Sequence, residues 1–532
     1  MTDTSQYDAL PTDTIDPRQV IGGARASGTG QVFHAVSPWT GEALEPAFTA
    51  GSSADIDAAA QEAAQAFASY RHTHPVDRAV LLETIAEELE ADRPTLVARA
   101  HAESALPLAR LEGELRRATG QLRFFADILR DGWPFDVRVD TGSTGPTPRP
   151  DLRLMQVPLG PVVVFGASNF PFAFSNAGGD TAAALAAGCP VIVKCHEAHP
   201  GTAVLVSQAV QRAVAKTRMP EGVYSALLSP AHEFGAELVA HPNVSAVGFT
   251  GSRTGGLALM KVAAARPRPI PFFAEMSSVN PVVILGDGAN AQTAQGFVAS
   301  FTLGAGQFCT NPGLLFVLDD ARGKEFVSAA AVGVAEQVGQ TMLTPGIARA
   351  FSAGVERMLA RPGVTERASG TPGESEFAPA PRLFETTAGA FQADPTMQEE
   401  IFGAAALVVR CTDTADILAC LAHLEGQLTA TLHVTAAEHD AAREILPALE
   451  LLAGRLIVNG WPTGVEVAEP MTHGGPFPAT SDGRSTSVGA LAINRFLRQV
   501  TWQSFPAELL PAQLTDDNPW NLPRRFVCRE TA

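Results

Sequence analysis

Short, continuous runs of apolar residues alternate with helical patterns through most of the chain. Such runs occupy residues 162–165, 191–193, 244–249, 282–285, 314–317, 406–409 and 456–458. A parallel strand that is buried on both faces has this continuous apolar character, whereas a half-exposed strand alternates. The sequence therefore predicts βαβ units in two successive α/β domains, each built on a buried parallel sheet.

Helical periodicity precedes the first of these runs. Ser53 is the predicted N-cap of a helix that carries Ile56 on its apolar face, and Asp77 is the predicted N-cap of a helix that carries Leu81. A third and longer helix is predicted from about residue 106 to residue 129. The first third of the chain is therefore expected to be mostly helical.

Two polar, breaker-rich stretches mark boundaries. Residues 1–30 are rich in Gly, Ser and Thr and are predicted to form an N-terminal arm. Residues 141–151 contain two Gly and three Pro and are predicted to form a linker.

Composition and charge exclude several classes of protein. The chain has 532 residues, of which 46% are hydrophobic and 18% charged, as in an ordinary globular protein. Its net charge of −18 disfavours a nucleic acid or an anionic membrane as partner. An anionic cofactor remains possible, because backbone dipoles can bind phosphate inside an acidic protein.

The six cysteines have no regular spacing and predict no disulfide framework. The N-terminus lacks the basic and apolar regions of a secretory signal, and the apolar segments are too short to span a bilayer. These features predict a soluble, cytoplasmic protein with reduced thiols, which would suit a catalytic cysteine.

Cys309 is the first candidate for chemistry. Gly304 and Gly306 lie just before it and permit a close approach of the backbone, and residues 297–301 predict a packed helix that would hold the thiol. A cysteine is also among the most frequently buried residues, so a role in the core is the alternative interpretation.

Glu275 and Asn169 could complete a catalytic group with that thiol. Glu275 lies 34 residues before Cys309 at the end of an apolar strand, where a carboxylate is costly to bury unless it is paired or protonated. The functional interpretation is a general base with a raised pKa that activates water. Asn169 follows the run 162–165 and could donate to an oxyanion. The alternatives are a solvent-facing glutamate and an ordinary Asn turn.

Other polar residues follow predicted strands. Lys194 ends the run 191–193, with Glu197 three residues later, and such a strand end is where α/β sheets bind ligands. Residues 248–256 form a Gly/Ser/Thr turn before a helix, which could bind a pyrophosphate. Glu400 and Phe402 precede another strand, and a solvated acidic turn is the alternative there.

The ordered set of these segments closely resembles the aldehyde dehydrogenase superfamily. The motifs are Asn-Phe-Pro from Asn169, Lys-x-x-Glu from Lys194, Phe-Thr-Gly-Ser ending at Ser252, Gly-Gln-x-Cys ending at Cys309, and Glu-Glu-Ile-Phe-Gly around Glu400. The Glu-to-Cys spacing is also that of the superfamily.

The resemblance implies an architecture of two doubly wound α/β domains with a small β oligomerisation extension. The implied parts, in chain order, are an arm at 1–30, a cofactor domain at 31–136 and 155–275, a catalytic domain at 276–470, an extension at 137–154 and 486–505, and a tail at 506–532.

The resemblance also implies roles and partners. Cys309 would be the nucleophile and Glu275 the base that hydrolyses the thioester, with Asn169 and the Cys309 N–H as the oxyanion hole. Lys194 and Glu197 would face the adenosine ribose. Lys194 is also counted with the catalytic group. Cofactor contacts are further expected at Gly251, Ser252, Glu400 and Phe402. The implied cofactor is NAD or NADP, with no metal, and the implied assembly is a homodimer or homotetramer.

A narrower resemblance concerns the substrate. Residues 165–175, 119–123 and 199–202 are similar to α-ketoglutaric semialdehyde dehydrogenases and their bacterial long-chain aldehyde relatives. This similarity implies oxidation of 2,5-dioxovalerate to 2-oxoglutarate, with a long-chain aldehyde or another semialdehyde as the alternative. Arg117 or Arg123 could bind the distal carboxylate, unless they pair with Glu112 and Glu114.

Phe170 is also expected to line the substrate site. Two other hypotheses are a catalytically silent family member with a structural or binding role, and a thiol esterase or acyltransferase that ignores nicotinamide. The intact set of catalytic and cofactor-side motifs argues against both.

Overall fold

The computed structural model describes residues 15–143 and 148–526. Fourteen α-helices lie in these ranges: α1 (Ser53–Tyr70), α2 (Pro75–Ala91), α3 (Arg93–Ser104), α4 (Leu108–Asp131), α5 (Gly179–Ala187), α6 (Pro200–Lys216), α7 (His232–Ala240), α8 (Arg253–Ala265), α9 (Ala291–Thr302), α10 (Ala321–Ala335), α11 (Pro345–Leu359), α12 (Ala388–Ala393), α13 (Thr414–Ala422) and α14 (His439–Leu452).

The same ranges contain twenty strands: β1 (Gln19–Ile21), β2 (Ala24–Ala26), β3 (Val32–Val36), β4 (Ala43–Thr49), β5 (Val137–Asp140), β6 (Leu152–Pro158), β7 (Val162–Phe165), β8 (Val191–Lys194), β9 (Tyr224–Leu227), β10 (Ala246–Thr250), β11 (Phe272–Glu275), β12 (Val282–Ile284), β13 (Leu314–Leu318), β14 (Thr365–Ser369), β15 (Arg382–Thr387), β16 (Ala405–Cys411), β17 (Gln427–His433), β18 (Ala453–Val458), β19 (Leu497–Gln503) and β20 (Arg524–Phe526).

The first large sheet has the order β11-β10-β7-β8-β9-β1-β2. Its strands β7 to β11 are parallel, and Val164 lies opposite both Val193 and Gly248. After β9 the chain crosses back to the other side of β7 and forms β10, which makes the β7–β10 junction a topological switch point. Ligands of open α/β sheets bind at the carboxyl ends of the strands at such a junction.

The prediction of an arm over residues 1–30 is wrong for part of that range. Strands β1 and β2 lie within it, and β1 pairs antiparallel with β9 and extends the first sheet. Each strand has only three residues, which is too short to give a readable apolar pattern. Residues 1–14 of the predicted arm lie outside the described residues.

The second large sheet has the order β14-β15-β16-β13-β12-β17-β18 and is parallel except at β14. The predicted apolar runs 282–285, 314–317, 406–409 and 456–458 all fall on its strands. The two sheets confirm the predicted α/β class with two large parallel sheets.

A small sheet with the order β19-β6-β5-β20 lies apart from the two large ones. Strands β5, β6 and β19 overlap the segments predicted to form the extension, and residues 144–147 of the predicted linker lie outside the described residues. The C-terminal segment adds β20 alongside β5. Arg153 anchors that segment because its guanidinium donates to the Leu514 carbonyl at 2.6 Å and to Asp516 at 2.7 Å.

Of the helices in the first third of the chain, α1 packs directly on the first sheet, whereas α2, α3 and α4 pack on α5 and α6. Helix α4 lies against α2 and α5. The predicted caps are each displaced. Helix α1 is capped by Ser52 in a capping box with Asp55, and α2 is capped by the His74 side chain, so that Asp77 lies in its first turn. None of the helices in the described ranges is long and apolar enough to cross a membrane.

Candidate active site

A cavity of about 1340 Å³ opens at the carboxyl ends of the first sheet's strands, beside the β7–β10 junction. It exceeds the roughly 300–1,000 Å³ of a typical small-molecule pocket. Ten of the twelve site residues singled out in the sequence line it: Asn169, Phe170, Lys194, Glu197, Gly251, Ser252, Glu275, Cys309, Glu400 and Phe402. Residues far apart in the chain therefore meet in one place, and Arg117 and Arg123 are the two that do not line the cavity.

The loop that carries Cys309 has an unusual backbone. After α9 ends, Gly304, Ala305 and Gly306 all have positive φ angles, between 57° and 69°. A Cβ atom on Gly306 would lie 2.4 Å from the backbone carbon of Gly403. Only glycine permits this approach, so the loop that carries Cys309 packs directly on the segment that follows Phe402.

Glu275 ends β11 and lies in a buried polar cluster. Its Oε1 is 2.8 Å from Nε2 of His473, and its Oε2 accepts a hydrogen bond of 3.0 Å from the Ser487 hydroxyl. The same His473 nitrogen is 3.3 Å from Sγ of Cys309. The histidine and glutamate side chains are only 1% and 3% exposed, so the pair is shielded from bulk water.

The pKa of Glu275 is shifted downward, whereas the sequence predicted an upward shift. Burial on its own raises the pKa of this carboxyl, but His473 and the hydrogen bonds from Cys309 and Ser487 together lower it below its usual value. Burial, reinforced by the charge of Glu275, raises the pKa of the Cys309 thiol well above its usual value. The resting site therefore combines an ionised carboxylate with a neutral thiol.

Asn169 is held beside the cysteine loop. Its Nδ2 donates to the Gln307 carbonyl at 3.1 Å. The turn that follows it is fixed by the buried carboxylate of Glu114, which accepts from the backbone N–H groups of Phe172 and Ala173. Within the described residues only the Gln307 carbonyl accepts from the Asn169 amide, so its second N–H can donate to an oxyanion.

The arginines of α4 have different environments. Arg117 lies over the Phe174 ring at 4.9 Å, and its Nε donates to the Val465 carbonyl. No described residue accepts a hydrogen bond from its two buried terminal nitrogens. Arg123 instead pairs with Glu90 and its side chain is 42% exposed, so the structure does not bring it to the site.

Two further arginines, both partly buried, lie near the cysteine and were not found from the sequence. Arg110 donates to the Asn169 carbonyl at 2.8 Å and stacks on the rings of Phe170 and Phe308. Arg455, on β18, donates to two carbonyls of the loop 462–465, the loop that also holds Arg117. The surroundings of Cys309 are therefore more cationic than the net charge of the chain suggests.

The other end of the cavity has the features of a dinucleotide site. Helix α8 begins there, and its N-cap Ser252 accepts from the Gly255 N–H at 3.2 Å. Lys194 lies 2.8 Å from Glu197 at the end of β8. Burial on its own raises the pKa of Glu197, but the neighbouring His196 and Lys194 lower it to about 2, so this carboxylate is ionised at neutral pH.

Glu400 and Phe402 close the cavity between the two ends. Burial raises the pKa of Glu400 to about 7, against the opposing hydrogen bonds of Ser277 and Ser278. A helix N-terminus for phosphate, a carboxylate for ribose hydroxyls and an aromatic residue near the thiol together fit a nicotinamide dinucleotide.

His473 is the main site residue that the sequence did not reveal. It precedes Gly474, Gly475 and Pro476, and that glycine-rich stretch could have indicated a close backbone approach. Nothing in its local pattern connects it with Glu275, which lies 198 residues earlier in the chain. Only the tertiary fold brings the imidazole and the carboxylate together.

Comparison with known proteins agrees with this geometry. The family model for the aldehyde dehydrogenase family matches residues 24–476. Alpha-ketoglutaric semialdehyde dehydrogenase 2 of Azospirillum brasilense is 51% identical over 95% of this chain and 97% of its own length. Alpha-ketoglutaric semialdehyde dehydrogenase of Acinetobacter baylyi is 44% identical over 95% of this chain and 97% of its own.

Solved structures show the same fold. Apo betaine aldehyde dehydrogenase of Staphylococcus aureus superposes with a TM-score of 0.80 at 18% identity, covering 93% of this chain and 96% of its own. The 1-pyrroline-5-carboxylate dehydrogenase from Thermus, solved with bound NAD, superposes with a TM-score of 0.78 at 23% identity, covering 91% and 92%.

The pKa of Cys309 can be tested by alkylation. We expect Glu275→Gln to lower that pKa, because it removes the negative charge that destabilises the thiolate. At pH 8 iodoacetamide should then modify Cys309 faster by about tenfold, the equivalent of one pKa unit. Mass spectrometry would locate the label and separate Cys309 from the other cysteines.

The exposed Glu469, in the same C-terminal part of the chain, supplies the control. Glu469→Gln should leave the pH dependence of alkylation unchanged. A slower reaction in Glu275→Gln would show that the carboxylate assists thiolate formation in the resting protein, contrary to the geometry described above.

Proposed function

Because the chain belongs to the aldehyde dehydrogenase family, we propose that it oxidises 2,5-dioxovalerate to 2-oxoglutarate. NAD or NADP serves as the hydride acceptor. The observation that carries this substrate is Arg117, whose two buried terminal nitrogens have no acceptor among the described residues. Its guanidinium lies behind Phe174, 4.9 Å from the ring of that cavity-lining residue. The names of the two relatives at 51% and 44% identity support the same choice.

The first step adds the thiol to the aldehyde. The Cys309 proton passes to the Glu275–His473 pair, whose imidazole is 3.3 Å from the sulfur. A C–S bond forms, and the carbonyl π electrons move to oxygen. The Asn169 amide and the Cys309 N–H stabilise that oxyanion, and one such donor contributes about 3 kcal/mol to the transition state.

A nicotinamide dinucleotide, when bound in the cavity, would accept the hydride from the former aldehyde carbon while the oxyanion electron pair re-forms the carbonyl and leaves a thioester. Gly251, Ser252, Glu197, Glu400 and Phe402 are the cavity residues that would hold it. The contact between Gly306 and Gly403 fixes the cysteine loop on the segment that follows Phe402. The sulfur is thereby positioned before substrate binds.

The third step hydrolyses the thioester. Glu275 takes a proton from a water molecule, the hydroxide adds to the acyl carbon, and the C–S bond breaks. A proton returns to the departing thiolate, so a carboxylic acid leaves and the thiol is restored. The ionised state of Glu275 in the resting site suits it for this role as a base.

The proposed substrate can be tested on Arg117. We expect the wild-type enzyme to form reduced nicotinamide with 2,5-dioxovalerate, and Arg117→Met to lower its kcat/KM about 30- to 1,000-fold. This range corresponds to the roughly 2–4 kcal/mol lost when a buried charge pair loses one partner. With hexanal, which has no carboxylate, kcat/KM should change less than about threefold because no ion pair is lost.

The matched control is Arg123→Met on the same helix, which breaks the surface pair with Glu90 and should affect both substrates little. Equal losses on both aldehydes in Arg117→Met would rule out carboxylate recognition. A wild-type preference for long aliphatic aldehydes would support the long-chain alternative, and no aldehyde-dependent reduction would support a silent member or an esterase.

We further propose that Glu197 controls the choice between NAD and NADP. Its carboxylate would bind the ribose 2′- and 3′-hydroxyls and repel a 2′-phosphate, whereas Lys194 offsets part of that repulsion from 2.8 Å away. Both cofactors should therefore be accepted by the wild-type enzyme.

We expect Glu197→Gln to raise the ratio of kcat/KM for NADP to that for NAD by about tenfold, or 1.4 kcal/mol. The exposed Glu237 on α7 does not line the cavity, and Glu237→Gln should leave the ratio unchanged. A wild-type preference for NADP above about 100-fold, roughly 2.7 kcal/mol, would contradict ribose binding by Glu197.

We also propose that the chain forms a homodimer or homotetramer in the cytoplasm, where the thiol stays reduced. Strands β18 and β19 are sheet edges with no partner strand in the described part of the chain, and Leu456 and Val458 are 38% and 57% exposed on β18. Unpaired edges with apolar side chains favour strand pairing between subunits.

Val458→Asp should shift the mass measured by light scattering from oligomer toward monomer, because it places a charge in the proposed interface. The control is the same substitution at Val332, which is 61% exposed on α10. Val332→Asp should leave the oligomeric mass unchanged. A monomeric wild-type protein would disprove the proposal.

A further inference from the structure

The side chains around the Cys309 thiol include donor atoms of the kinds that bind metal ions. Sγ of Cys309, Nε2 of His473 and a carboxylate oxygen of Glu275 all lie within 4.8 Å of one another. A thiolate, an imidazole and a carboxylate are the three kinds of protein donor that Zn²⁺ binds, whereas Mg²⁺ and Ca²⁺ prefer oxygen alone.

The distances are close to those of a metal site. Zinc–ligand bonds of 2.0–2.3 Å place the donors of a tetrahedral site about 3.3–3.8 Å apart. The His473 nitrogen lies 3.3 Å from the sulfur and 2.8 Å from the carboxylate oxygen. Side-chain adjustments of about 1 Å or less would therefore bring the three donors around one ion.

Neighbouring groups already hold two of the donors in place. The Ser487 hydroxyl lies 3.0 Å from Oε2 of Glu275 and 3.1 Å from the His473 carbonyl. The backbone N–H of His473 donates to the Thr486 hydroxyl at 2.8 Å, which fixes the segment that carries the imidazole. Such outer contacts orient metal ligands and contribute to their affinity.

Charge and access also favour a divalent cation of this type. Binding of Zn²⁺ displaces the Cys309 thiol proton to solvent. The resulting thiolate and the Glu275 carboxylate carry two negative charges, so the bound ion leaves the cluster neutral. Both residues line the large cavity, which gives an ion a route from solvent and leaves a fourth coordination position for water. Three protein ligands with one open position is the arrangement of many zinc sites.

We propose that Cys309, His473 and Glu275 form an inhibitory zinc site. A bound ion occupies the electron pair with which the sulfur would attack an aldehyde and removes the base needed for hydrolysis. The metal-bound enzyme is therefore inactive, and its thiol is shielded from oxidation. Removal of the ion restores the free thiol without any change in covalent structure.

The test uses Cd²⁺ as a probe, because a cadmium–thiolate bond has an ultraviolet charge-transfer band. Titration of the full-length protein, without aldehyde or cofactor, should give that band with one equivalent per chain. Cys309→Ser should abolish it. His473→Gln and Glu275→Gln should each weaken Cd²⁺ binding by more than about 100-fold, which exceeds the loss expected from an outer contact.

Cys420→Ala is the matched control, because this buried cysteine lies on α13 in the second domain and outside the cavity, and it should keep the band. In the wild-type enzyme Zn²⁺ should inhibit aldehyde oxidation, EDTA should reverse the inhibition, and Mg²⁺ should have no effect.

Retention of the band in Cys309→Ser, or unchanged Cd²⁺ affinity in both His473→Gln and Glu275→Gln, would overturn the proposal. Circular dichroism of each variant identifies any loss of binding that results from unfolding. Because metal binding is measured without substrate, failure of the proposed substrate would not affect this result.

Discussion

The burial of one carboxylate constrains the whole site. Glu275 ends the edge strand of the first sheet and is 97% shielded from solvent as a side chain, yet its pKa is held below its usual value. An unpaired buried carboxylate would take up a proton instead. His473 and Ser487 prevent this, and both come from the segment that follows the second sheet. The chemistry of the first domain therefore depends on a loop supplied by the far end of the chain.

The sequence predicts best what is repeated and local. Strands such as β7, β13 and β16 are continuous apolar runs because both faces are buried, and the runs were located to within two residues. Strands β1 and β2 were not predicted, because three residues are too few to show an apolar pattern. The N-caps were displaced by one to three residues because several polar residues near each helix start can serve.

The site was predictable as a set of motifs but not as a set of interactions. Ten of the twelve residues singled out in the sequence line one cavity, and their roles stay predictions. The pKa direction of Glu275 was wrong because it depends on His473, which no local pattern connects with it. Arg117 and Arg123 look equivalent in the sequence, but six residues on a helix is a rotation of about 600°, so they face different neighbours.

The contact between Gly306 and Gly403 has a consequence for how such a protein can change over time. It joins two backbones without any side chain, so substitutions in the surrounding pocket leave it intact. In the proposed function, the position of the sulfur is thereby set separately from the arginines that would recognise the acyl group. A lineage could exchange those arginines for apolar residues and acquire a new substrate while the cysteine loop stays in place.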